Sequence, residues 1–337
     1  MVPVRANVLA LTEGPNHVCY RYRIRAFEPF LEEKGCRVTV WPLAKGLPER
    51  LKQLRGAREF DAVILQRRLL STWETAWLRR HARRLVFDYD DAVMYRDSYH
   101  PKGLDAPRRR RRFRSIAGSA DVLIAGNAFL ADRPRALGVT PRSVVVVPTC
   151  VDPDRYPIKE PREGPVRLVW IGSSSTLQSL ESQRARWDEV GRRFPDLTLR
   201  IIADRFPDLG ALRVEPIRWE EKDEAQAISA CDIGINFAPD DDWSRGKCGL
   251  KILQYQACAL PVITDRVGVH PSMVRDGETG FLAESTGDVI DAIDRLATDP
   301  SLRGRMGRTG REQIEREYAP SRWADNVFAA LSDRSIP

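Results

Sequence analysis

The sequence has no cysteine pair at CxxC spacing, and no histidine lies at zinc-ligand distance from any cysteine. Its six cysteines, Cys19, Cys36, Cys150, Cys231, Cys248 and Cys258, are scattered, several of them in apolar runs. There a free thiol behaves as a small hydrophobe, and the compartment expected is reducing and cytoplasmic. No stretch approaches the roughly 18 uninterrupted apolar residues of a membrane span. The start, Met1–Leu11, lacks the apolar core of a signal peptide. Any membrane contact is therefore expected to be peripheral, at the inner face.

What is present is ordinary in amount. Hydrophobic residues make up 42% and charged residues 30% of 337 residues, a globular balance and a length that suits two domains. The net charge of +7 favours anionic partners without choosing among them.

Short apolar runs bounded by turn residues recur at 7–11, 38–41, 62–65, 85–87, 122–125 and 144–147. They recur again at 168–171, 197–202, 233–237, 261–264 and 280–283. Many are apolar throughout, as in parallel strands covered on both faces. Helical patterns fall between them at 20–34, 179–194, 224–230, 250–259 and 289–298. Such alternation predicts a doubly wound α/β architecture. The pattern strand, small-residue turn, helix, strand begins at Asn7 and begins again at Leu168. Between them, Asp152–Pro165 carries four prolines and reads as a linker.

The most informative segment is Trp243–Ile263. Leu250, Leu253 and Ala257 are spaced to face a core. Gly246 and Gly249 make a tight turn into the helix, whose first N–H groups and dipole favour a phosphate. Lys247 and Lys251 add charge, and Lys251, Gln254 and Tyr255 share a helical face. A diphosphate leaving group needs this kind of stabilisation. A surface helix with solvated lysines is the plainer reading of the same residues.

This segment resembles the C-terminal donor signature of the family 4 glycosyltransferases, which have the GT-B fold. Gly249, Ala257, Pro261-Val262-Ile263, Gly268 and Asp276–Leu282 match it. Val146–Tyr156 resembles the exit of that family's N-terminal domain. The likeness covers most of the chain, and best 144–285. It implies two Rossmann-like doubly wound parallel-sheet domains facing a cleft. Residues 1–160 would form the acceptor domain, 161–318 the nucleotide-sugar domain, and 319–337 a helix crossing back. It also implies transfer from a nucleoside-diphosphate sugar, UDP before GDP, with retention of configuration and without metal or other cofactor. The acceptor would be a carbohydrate, a lipid-linked molecule or a small molecule.

The pattern is not followed everywhere. Gly246 and Gln254 stand where the family carries two glutamates eight residues apart, and Ala259 replaces a glycine. Gly246–Tyr255 does fit a subgroup reading Gly-Lys-Cys-x-x-Lys-x-x-Gln-Tyr. By resemblance, Gly172, Ser173, Ser174 and the amides at Gly249 and Leu250 hold the diphosphate, with Gly246 and Cys248 in the same donor site. Lys247 and Lys251 meet the leaving charge, and Gln254 contacts ribose, as an amide can. Ser173–Thr176 also reads as a helix N-cap. Trp219, in the loop expected at 216–219, either lines the nucleobase pocket or is structural.

In the first half, Gly14 and the arginines Arg21, Arg23 and Arg25 are the acceptor candidates, Arg21 and Arg25 sharing a face; the alternative is a solvated helix. Asp90 and Asp91 follow a strand, at the end where open sheets bind ligands. They are expected to bind acceptor hydroxyls or to act on one as general base. Asp240–Asp242 reads as a solvated turn. The arginine runs at 79–84 and 108–114 read either as solvated helix faces or as a surface for anionic lipid. Nucleic acid is not expected, since no recognised binding motif is present. The rival functions are a nucleotide-sugar epimerase or hydrolase of this fold, a basic nucleic-acid-binding protein, and a catalytically silent binding protein.

Overall fold

A computed structural model describes residues 6–174 and 176–332. Met1–Arg5, Ser175 and the last five residues of the expected 319–337 segment lie outside the described residues. The described chain forms two compact units. One holds the residues up to Cys150, then Asp241–Cys248, and the helix from Pro320; the other holds Val151–Asp240 and Gly249–Ala319.

The first unit is built on six parallel strands: β1 (Ala6–Thr12), β2 (Cys36–Pro42), β3 (Ala62–Gln66), β4 (Leu85–Tyr89), β5 (Val122–Ala125) and β6 (Val144–Val146). Their order is β2-β1-β3-β4-β5-β6. Alternate residues feed two separate cores, which is why the strands read as unbroken apolar runs. Leu9, Leu11, Val63, Leu65, Leu85 and Phe87 pack under Leu54, Leu78, Phe113 and Ile116. Val8, Ala10, Ile64, Val86 and Ile124 pack under Tyr20, Phe27 and Leu31. Ala324, Val327 and Ala330 of the helix Pro320–Leu331 complete that second core.

The second unit repeats the architecture with β7 (Arg167–Ile171), β8 (Thr198–Ala203), β9 (Arg213–Arg218), β10 (Ile233–Asn236), β11 (Val262–Thr264) and β12 (Gly280–Leu282). Their order is β12-β11-β10-β7-β8-β9, all parallel. This is the Rossmann order, read from the other edge. On one face Trp170, Ile201, Ile235 and Ile263 meet Trp187, Val190, Ile293 and Leu296. On the other, Tyr255 occupies the space a side chain at Gly234 would need: a Cβ there would lie 2.3 Å from its ring. The Tyr255 hydroxyl accepts a bond from Ile171 N at 3.0 Å.

Three expectations change. Pro216–Arg218 belongs to strand β9, not to a loop. An edge strand tolerates a proline, and its charged, half-exposed residues hid it. The helix expected over 20–34 breaks at Ile24 (φ −128°, ψ −63°) into Val18–Arg23, a 3-10 turn at Arg25–Phe27 and Glu28–Glu33. Arg21 and Arg25 thus do not share one helical face. Asp241 is no solvated turn residue: it caps the short helix Asp242–Arg245, accepting from Ser244 N at 2.8 Å, and takes a bond from Ser98 Oγ at 3.1 Å.

Candidate functional site

In an open α/β sheet, ligands gather at the carboxyl ends of strands where the chain order reverses. In the first unit that point lies between β1 and β3. Gly14 follows β1 at φ +153° with open space where a side chain would stand. Arg67 follows β3 at φ +46°, a conformation costly for any residue but glycine. Its guanidinium holds Asp91 at 2.5 Å, lies 3.6 Å from Asp90, and also touches the Cys19 thiol. Burial lowers the pKa of Arg67, but Asp91 and Asp90 outweigh it and keep the group charged. Burial raises that of Asp90, yet Arg67 and Arg23 bring it below the ordinary carboxylate value. Asp90 Oδ1 is buried and has no hydrogen-bond partner among the described residues.

Arg23 is buried against Asp88 at 2.6 Å and donates to Val147 O at 2.5 Å. It is a packed structural pair at the end of β4. Arg21 is buried beside Tyr22, donating to its hydroxyl at 3.0 Å, and Arg25 is half-buried. Gly246, Lys247 and Cys248 pack in this same unit. A Cβ on Gly246 would lie 2.6 Å from that of Ala92, so the glycine is required for space; its own φ is −79°. The Cys248 thiol donates to Asp90 O at 3.2 Å, and Asn127 Nδ2 donates to Lys247 O at 3.0 Å. Lys247 Nζ lies 5.2 Å from the Trp243 ring centre. The first unit thus brings Asp90 and Asp91 together with Gly246, Lys247 and Cys248.

In the second unit the reversal lies between β7 and β10. Gly172 ends β7 so tightly that a Cβ would come 2.5 Å from Thr176 Oγ1 and 2.6 Å from the Trp170 ring. Ser173 and Ser174 are exposed, and Ser174 N donates to Asp204 at 2.7 Å. Among the described residues, no side chain caps the helix Gln178–Glu181 through a hydrogen bond. Gly249 sits at φ +63° at the start of the helix Leu250–Ala257, packed on Val269 and Met273. Behind them is a buried network. His270 Nδ1 donates to Asp265 at 2.6 Å, so Nε2 accepts from Asn236 Nδ2 at 3.0 Å. Lys251 stands over the Trp170 ring at 4.1 Å. The Gly172 turn and the Lys251 helix, 79 residues apart in sequence, therefore meet at one tryptophan.

Gln254 is buried and donates to Glu224 Oε1 at 2.9 Å and to Tyr156 Oη at 3.4 Å. Trp219, 38% exposed, donates from Nε1 to Glu224 Oε2 at 2.7 Å. Tyr255, read with Lys251 and Gln254, belongs to the core.

Residues 5–155 match the family described as Glycosyltransferase Family 4, and residues 183–329 match the one described as Glycosyl transferase-like. The chain belongs to the family 4 glycosyltransferases. A curated relative, the D-inositol 3-phosphate glycosyltransferase of Corynebacterium jeikeium, is 27% identical over 79% of this chain and 66% of its own length. The chain spans about half to two thirds of the length of the curated relatives it matches. Among solved structures, a sucrose-phosphate synthase from Thermosynechococcus elongatus matches with a TM-score of 0.72 at 17% identity, over 95% of this chain and 96% of that one. The Anabaena protein HepE, in complex with UDP and glucose, matches with 0.67 at 15%, over 97% and 99%. The fold is the GT-B fold, with its two Rossmann-like domains.

The structure also brings forward residues that sequence reasoning passed over. Arg67 has one available signal, its place directly after an apolar strand at the reversal of sheet order. Asp88 has another, since an acid inside a strand covered on both faces requires a partner. Glu224 had none: it lies in the run Glu220–Glu224, which looks solvated.

Proposed function

We propose that this chain moves a sugar from a nucleoside-diphosphate sugar, UDP before GDP, to an acceptor hydroxyl, with retention of configuration. The observation that carries the reading is the meeting of Gly172, Lys251 and the start of the helix Leu250–Ala257 around Trp170. A tight glycine turn, a helix N-terminus and an ammonium group form a site for a diphosphate. The Gly172, Ser173 and Gly249–Leu250 backbone holds the diphosphate. Lys251 meets the charge that grows on the leaving group, so this cation serves in place of a metal ion. Trp219 offers its exposed indole to the nucleobase, and Gln254 with Glu224 lies toward the ribose. UDP is favoured because HepE, of the same fold, is seen with UDP and glucose.

On the acceptor side, Asp91 and Asp90 bind hydroxyl groups; Asp90 Oδ1, buried without a donor, suits one. A carboxylate whose pKa is lowered is a weak base near neutral pH, so hydroxyl binding is favoured over proton abstraction. Gly14 and the arginines at 21 and 25 border this end of the first unit. The acceptor is a carbohydrate, a lipid-linked molecule or a small molecule. The six free cysteines suit the cytoplasm, with peripheral contact at the inner membrane face.

Thermal shift against UDP-, GDP-, ADP- and dTDP-sugars tests the donor. UDP-sugars should raise the unfolding temperature most, and Lys251→Ala should lower turnover by about 100-fold. No stabilisation by any nucleotide sugar would overturn the reading.

A further inference from the structure

Three helices, Leu47–Gly56, Thr72–His81 and Pro107–Ser119, cover one face of the first sheet through Leu54, Leu78, Phe113 and Ile116. Their outer surface is unusual in two respects. Trp73 is 50% exposed and Trp77 37%. They stand one turn apart on Thr72–His81, on the side where Ala76 and Arg80 are also exposed. Leu47, at the start of Leu47–Gly56, is exposed as well. Large apolar side chains left in water along one helix face call for a partner.

The second respect is charge. Pro107–Ser119 holds six arginines and no acidic residue. Arg109 donates to Tyr95 O, Arg112 to Leu69 O, and Arg110 pairs with Asp105. Arg108, Arg111 and Arg114 are exposed, and no ion pair engages them among the described residues. The cluster reaches the tryptophan helix. Arg112 is lowered in pKa by burial and then by Arg108, with Arg111 and Arg50 adding to this and Glu74 opposing it. Glu74 is already committed, accepting from Ser71 N and Arg50 Nε at 2.8 and 2.6 Å. The helix that carries the two exposed indoles thus packs beside the arginine helix, which has no acidic residue of its own.

We propose that this face docks on a bilayer containing anionic phospholipid, with Trp73 and Trp77 entering the headgroup layer and Arg108 and Arg111 meeting lipid phosphates. Indoles favour the membrane interface, and basic side chains near an anionic surface add to partition. A free polyanion such as nucleic acid would satisfy the arginines and leave the paired indoles unexplained. The inference deepens the peripheral contact proposed above and is separable from glycosyl transfer.

The test is co-sedimentation of the whole chain with phosphatidylcholine vesicles, with and without phosphatidylglycerol. Binding is expected only with phosphatidylglycerol, with a blue shift of indole emission and weakening as salt rises. Arg108→Gln and Arg111→Gln should each weaken binding about fivefold. Trp73→Ser with Trp77→Ser should abolish the blue shift. These exposed positions lie outside the donor and acceptor residues, so unfolding temperature and transfer to a water-soluble acceptor should be unchanged. No binding to acidic vesicles overturns the proposal, as does binding that survives both pairs of substitutions. Vesicle binding without sugar transfer would instead count against the proposed function alone.

Discussion

Glu224 holds the second unit's candidate nucleobase end together, and replacing it with glutamine should separate its two tasks. In the native chain one oxygen accepts from Gln254 at 2.9 Å and the other from Trp219 Nε1 at 2.7 Å. A glutamine has the same size but only one oxygen, so one of the two donors must then face another donor. Gln254 is 3% exposed and cannot turn to water, whereas Trp219 is 38% exposed and can. The substituted amide should therefore keep Gln254 and release the indole. The loss is one hydrogen bond to a charged group, about 1.5–3 kcal/mol. At about 2–4 °C per kcal/mol for a unit of this size, the unfolding temperature should fall by about 3–12 °C. Glu224→Ala removes both acceptors and should cost about 1–3 kcal/mol more, because Gln254 is left buried with its strongest acceptor gone. The assay is thermal unfolding with parallel UDP titration. Trp219→Phe removes the same hydrogen bond and should lower the unfolding temperature by a similar amount while weakening UDP binding, and both effects should largely vanish in the Glu224→Gln background. If Glu224→Gln keeps both its unfolding temperature and its UDP affinity, the bridging role is wrong.

Other perturbations test other parts of the molecule. Arg23→Met strands Asp88 in the core and should cost about 3–5 kcal/mol in urea unfolding. Adding Asp88→Asn should recover most of that, and a single-variant loss under about 1 kcal/mol would show that the pair is not the support described. Gly249→Ala places a Cβ 2.3 Å from Met273 Sδ at φ +63°. It should lose about 1–2 kcal/mol from the backbone conformation alone, and Met273→Ala in the same chain should relieve only the steric part. Asp121 has its pKa raised by burial but lowered further by the Leu85 N–H and by Arg79 and Arg142. Because its folded pKa is depressed, its stabilising contribution is present above the unfolded value of about 3.9 and lost as pH falls through the folded one. The stability gap between the native chain and Asp121→Asn should thus be full at neutral pH and should close in acid; a gap independent of pH would refute the assignment.

Where local pattern reflects local environment, the sequence was sufficient. A strand buried on both faces is apolar at most positions, so the central strands stand out as runs; β9, half-exposed and interrupted by Pro216, does not. The glycine before the helix Leu250–Ala257 was legible as well, since Gly249 occupies a backbone region that other residues resist. The departure at Ala259 is resolved by the backbone. It takes φ +55°, the conformation that a glycine at this place in the family would adopt freely.

Partnerships at long range were not legible. Chain spacing says nothing of which acid meets which base, so Arg67 with Asp91, Arg23 with Asp88 and Glu224 between Trp219 and Gln254 emerged only from tertiary structure. The segment Asp241–Cys248 makes the same point, because it belongs to the first unit although the residues on either side of it, up to Asp240 and from Gly249, belong to the second. Sequence alone fixed the family, the two α/β repeats and the residues at the strand ends, since these depend on periodicity and on backbone conformations that few residues tolerate. Tertiary structure decided which side chains face one another, because that depends on loops that carry no periodic signal.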